Sequence, residues 1–168
     1  AEVHLGEVDG KTTPKLEKVK ALFARADMQP DVKDNILHWL WLHNAMSIGI
    51  WAGFAKYRDV RVFLKDRPLL LQCYQASKEL LELCRLRGVD IKKYPESSTF
   101  QLPAWLFIIL FRWLWTHNES MQRFTAHGAD SLQEAKANFD EMMETANNLR
   151  FEMSNMKAVG LYLESALQ

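Results

Sequence analysis

The run "HWLWLHNAMSIGIWAG" at residues 38–53 limits this chain more than any other stretch. It holds three tryptophans, two histidines and one asparagine, and no charged residue occurs from Trp39 to Ala55. A helix without a charged face must bury most of its sides. A membrane span needs roughly 20 predominantly apolar residues, and His43, Asn44 and Ser47 near the middle of this run are costly in hydrocarbon. The second apolar run, "LPAWLFIILFRWLW" at 102–115, is shorter and contains Pro103 and Arg112. Both are read as helices buried inside a helical domain, with no membrane role. Helices this apolar also favour a homodimer, in which one face packs against a second subunit.

The 168 residues suffice for a domain with a real core. Lysine plus arginine equals aspartate plus glutamate at 21 each, which argues against nucleic acid as a partner. Cys73 and Cys84 fall eleven positions apart in one predicted helix and cannot pair there, so a reducing, cytoplasmic setting is expected. The opening "AEVHLGEVDG" lacks the basic start and apolar core of a signal peptide.

"EVHL" at 2–5 alternates like a strand, and Gly6 and Gly10 frame the turn "GEVDG". It is the one convincing strand signal, and a strand without a partner is not stable by itself. The rest reads as helix. Thr13 followed by Pro14 starts the first helix, and "ADMQP" ends it. Asp31 is positioned to cap a second helix running to about Phe54. "DRP" at 66–68 starts a third, which Gly88 stops with Val89 as its apolar contact. The 102–115 helix follows. Ser131 and Glu134 have capping-box spacing for a helix to about Leu149, and Ser154 can cap a last one to about Leu167.

No Glu-x-x-His, Cys-x-x-Cys or His-Glu-x-x-His pattern occurs, and His38 and His43 are five apart, so no metal site is expected. There is no Gly-x-Ser-x-Gly elbow and no glycine-rich phosphate loop.

The order of features has a family likeness: "GEVDG", a helix, a helix with Trp and Asn at its middle, then a helix ending "LLELCRLRGVD". It resembles the ketopantoate reductase (2-dehydropantoate 2-reductase) family over nearly the whole chain, best from residue 5 to 92. The resemblance implies an all-α, multi-helix domain like the C-terminal domain of 6-phosphogluconate dehydrogenase and ketopantoate reductase. Residues 1–10 would then be a remnant of the last strand of a missing Rossmann domain, and residues 11–168 the helical substrate and dimerisation domain. It further implies NADP-dependent hydride transfer to a 2-keto acid, with NADP bound by the full-length protein and none by this chain alone.

In that family a lysine on the central helix is the general acid, and asparagines follow at one-turn intervals. Residues four apart share a helix face, so such a ladder lines one wall of a cleft. Here the three positions are Leu40, Asn44 and Ile48. Asn44 matches as a substrate contact; Leu40 has no proton to give. His43 and Ser47 share Leu40's side of the helix, which makes His43 the candidate acid and Ser47 a further substrate contact. The family's late glutamate and the serine before it fall near Glu134, a second catalytic candidate, and Ser120. The competing reading, which the loss of the lysine favours, is a non-catalytic helical dimerisation or interaction module derived from the family.

Overall fold

The computed structural model describes residues 2–119 and 131–168. In it the strand read from "EVHL" is present as β1 (Glu2–Leu5), and it has a partner. After α1 (Pro14–Arg25), the chain forms β2 (Gln29–Val32), which lies parallel to β1 in the register Glu2↔Gln29, Val3↔Pro30, His4↔Asp31 and Leu5↔Val32. The Lys33 N–H donates to the Leu5 carbonyl (2.8 Å) and extends the ladder. The expectation of a lone strand is therefore corrected. The sequence signal for β2 is weak because it is four residues long and contains Pro30, which has no N–H for a ladder and fits only at an edge. Parallel strands need a crossover, and α1 supplies it.

Chain starts and stops follow side-chain chemistry. The Thr13 hydroxyl accepts the Leu16 N–H (3.1 Å), with Pro14 as the first helical residue. The glycine turn is held where no Cβ fits: at Gly6 it would lie 2.9 Å from the Lys33 carbonyl oxygen and from Ile36 Cβ. Gly10, at φ 73°, would meet the Asp34 carbonyl oxygen at 2.5 Å.

The central helix α2 spans Ile36–Phe54. Asp31, expected to cap it, lies in β2 instead. Asn35 does that work, its side-chain oxygen accepting the His38 N–H at 3.0 Å. The short α3 (Val60–Phe63) is capped by Asp59, and α4 (Arg67–Leu86) by Asp66, whose carboxylate accepts the Leu69 N–H at 3.0 Å. Gly88 ends α4 as read from the sequence. At φ 86° its N–H donates to the Arg85 carbonyl and that of Val89 to the Cys84 carbonyl, a Schellman motif with Val89 buried. Two 3-10 turns lead to α5 (Ala104–His117).

The last two helices are α6 (Leu132–Asn148) and α7 (Ser154–Ala166). Neither expected serine cap forms: Ser131 makes no side-chain cap bond at α6, and Ser154 is already the first residue of α7. The α7 start is satisfied by Glu79 of α4, whose carboxylate accepts the N–H groups of Asn155 (3.0 Å) and Met156 (2.8 Å) and the Asn155 amide (2.7 Å).

The chain forms two compact units, Ala1–His43 and Asn44–Gln168. In the first, α1 packs on the two strands. In the second, α4 packs against both α5 and α7, and Leu70, Cys73, Leu80, Leu83 and Cys84 are fully buried. The fold is mostly helical, as expected. No helix among the described residues is long and apolar enough to cross a membrane.

Candidate functional site

Strand periodicity puts Glu2, His4, Asp31 and Lys33 on one face of the two-stranded sheet. There the His4 ring nitrogen Nδ1 lies 3.2 Å from an Asp31 carboxylate oxygen, and the Lys33 ammonium 2.8 Å from the same oxygen. The ammonium, with a smaller contribution from His4, holds the Asp31 carboxyl below its ordinary range. Trp39, in the first turns of α2, has the His4 ring 4.0 Å from its own and the His43 ring stacked at 5.0 Å with 18° between planes. The Lys33 ammonium lies 5.7 Å from the same indole. The first unit thus carries one cluster of two imidazoles, a carboxylate, an ammonium and an indole.

A carboxylate on Nδ1 leaves the other His4 ring nitrogen as a second donor or acceptor. Glu2, His4 and Asp31 each place one ligand atom within 4.8 Å of the others, the donor set of a divalent-cation site. The Lys33 ammonium beside Asp31 already supplies positive charge there. No local pattern announces this cluster, because His4 and Asp31 are 27 positions apart and Asp31 stands in the sequence where a helix cap is expected. The one signal that could have found it is the His4–Asp31 pairing that a parallel register creates.

The other expected residues are placed as follows. His43 is exposed and belongs to the first unit, against Trp39. Asn44 and Ser47 are half-buried in the second, where the Ser47 hydroxyl donates to the Asn44 backbone carbonyl (3.3 Å). Along the expected ladder, Leu40 is 42% exposed, Asn44 half-buried and Ile48 2% exposed, so α2 passes from surface to core over two turns. Glu134 is exposed in the first turn of α6 and makes no hydrogen bond or ion pair with a described residue. Ser120 lies outside the described residues.

The β1–α1 turn is where a βαβ unit would hold a dinucleotide's pyrophosphate. It presents the carboxylates of Glu7 and Asp9, and Glu7 is hydrogen-bonded to the Thr13 hydroxyl at the helix start. Acids at that position repel a pyrophosphate, so this turn does not fit NADP. Cys73 and Cys84 form no disulfide and are buried; burial pushes their thiols up to about 12 and about 11, so both stay protonated near neutral pH.

No family model matches the chain, and neither a curated protein nor a solved structure does.

Proposed function

We propose that the chain is the substrate-side helical domain of a cytoplasmic oxidoreductase of the ketopantoate reductase kind, which reduces a 2-keto acid at the expense of NADPH. The observation that carries this is the order of features: the "GEVDG" turn between β1 and α1, Asn44 at the middle of α2, and the glycine-stopped "LLELCRLRGVD" end of α4. NADP is held by residues outside this chain. The chain's own share is on the substrate side. Asn44 hydrogen-bonds the keto acid, with Ser47 and Ser120 as further contacts and Glu134 as the late carboxylate. His43 gives a proton to the ketone oxygen as negative charge develops there, the task for which Leu40 has no group.

The test is NADPH oxidation by the product of the full reading frame, over a panel of 2-keto acids. Asn44→Ala is expected to lower kcat/KM by roughly 5- to 150-fold, the worth of one substrate hydrogen bond. His43→Gln is expected to lower kcat by about 100-fold or more. Unchanged turnover in both variants, or no keto acid accepted, sinks the reading.

A specific observation favours the second reading, a dimerisation module. On α5, Trp105, Ile109, Leu110 and Trp113 are 63%, 49%, 43% and 60% exposed, while Phe107, Ile108 and Phe111 are buried on the other side. Large side chains cover roughly 150–250 Å² each, so these four offer about 400–500 Å² of apolar surface per copy. That is more than half of the ~800 Å² a side of a standard interface. The occupant is a second copy, because the stripe is symmetric: Trp105 and Trp113 sit four residues either side of Ile109. A two-fold axis at Ile109 sets each Trp105 against the partner's Trp113.

Sedimentation equilibrium is expected to give twice the chain mass for the parent and the chain mass for Ile109→Glu. Ile109→Cys is expected to cross-link to its own copy under mild oxidation, since Cys73 and Cys84 are buried. A monomeric parent, or an Ile109→Cys dimer that does not cross-link, refutes this arrangement.

A further inference from the structure

A cleft of about 560 Å³ in the second unit lies between α3 with its following residues and the last turns of α5. Three cations line it: Arg61, Lys65 and Arg112. No acidic residue lines it among the described residues. Its apolar walls are Val60, Leu64 and Trp115, and the Trp115 ring is held against Phe111 at 4.0 Å. The two carboxylates next to α3 in sequence are engaged elsewhere. Asp59 caps α3 through the backbone N–H groups of Arg61 and Val62, and Asp66 binds Lys56, Tyr57 and the start of α4.

None of the three cations makes a side-chain hydrogen bond or ion pair with a described residue, and Arg112 is half-buried. Like charges gathered in one concavity repel one another, and a low-dielectric wall strengthens the repulsion. An acid among them would relieve that repulsion. A second cleft has such acids, mixing Lys78, Arg85 and Lys92 with Glu82 and Asp90.

We infer that this cleft binds a small organic anion, a carboxylate with an apolar body, whose charge is met by Arg112, Arg61 and Lys65 and whose body lies on Trp115 and Leu64. The volume is that of ordinary small-molecule sites, roughly 300–1,000 Å³. A planar guanidinium takes a carboxylate through two parallel hydrogen bonds. A free phosphate shares the charge and lacks the apolar body. The inference stands independently of the oxidoreductase reading.

Calorimetric titration of the chain with isocaproate, its neutral amide isocaproamide and inorganic phosphate tests it. Isocaproate is expected to bind with a dissociation constant in the submillimolar range, the amide and phosphate at least about 10-fold more weakly. Isocaproate binding is also expected to weaken as salt is added. Arg112→Gln is expected to weaken isocaproate by about 10-fold or more. The double variant Arg61→Gln with Lys65→Gln, both exposed positions, serves as the second probe should Arg112→Gln fail to fold. Without ligand at low salt, the variants are expected to melt no lower than the parent, since they relieve repulsion; a structural role would lower the melt. Equal binding of acid and amide, phosphate binding as tight as isocaproate, no binding at millimolar isocaproate, or full affinity in the double variant overturns the inference.

Discussion

Gly53→Ala is expected to destabilise the protein by about 1–2 kcal/mol, even though alanine is the better helix former by about 1 kcal/mol. A Cβ at Gly53 would lie 2.1 Å from Cys73 Sγ, with Leu69 Cδ1 and Phe63 Cε2 at 3.5 Å. Cys73 has no exposed surface, so its sulfur can move only by displacing another core atom. Overpacking of this kind costs about 1–3 kcal/mol and outweighs the propensity gain at an overlap of this size. For a chain of this length the melting temperature should fall by roughly 2–8 °C. The decisive measurement is a double-mutant cycle. Cys73→Ala removes the sulfur, so Gly53→Ala in that background should cost little or stabilise. If the two costs simply add, the clash is not what makes glycine necessary at position 53.

Glu79→Ala is expected to cost about 2–3 kcal/mol, several times the effect of an ordinary surface substitution. The Glu79 carboxylate satisfies two backbone N–H groups at the start of α7 and the Asn155 amide, and the Ser154 hydroxyl lies at 3.4 Å. The first N–H groups of a helix have no partner inside it, and negative charge is favoured at that end. Alanine leaves these part-buried donors unpaired. Glu79→Gln keeps an acceptor oxygen and loses the charge, so it should fall between parent and alanine. Urea unfolding followed by circular dichroism reads the order. If Glu79→Ala shifts the midpoint no more than Glu82→Ala, on the next turn of α4, then the bonds to α7 do not stabilise the fold.

The helical content was legible because its signals are local. Thr13–Pro14, Asp66 before Pro68 and Gly88–Val89 each act within one turn, and the structure keeps all three. Helix stops without glycine were harder to read. Asp27 and Arg150 take left-handed backbone (φ 57° and 53°) at the ends of α1 and α6, where nothing in their identity announces it. Of the candidate site, the sequence offers His43 as the acid beside Asn44 and Ser47; in the structure its exposed ring stacks on Trp39, one turn earlier, within a cluster built by His4, Asp31 and Lys33.

The sequence by itself determined that the uncharged run through α2 must be a mostly buried helix, where the helices around it start, and that Leu40 cannot donate a proton. Those properties belong to a residue or a turn, whose energetics depend on neighbours within about four positions. The tertiary structure decided what depends on distant partners. It made Asp31 a strand residue facing His4 instead of a cap, and put Glu79 on the start of a helix 75 residues further on. It also gathered Arg61, Lys65 and Arg112 around one cleft. A carboxylate or guanidinium can satisfy whichever donor or acceptor reaches it, so composition leaves the choice open and the packing of the chain makes it.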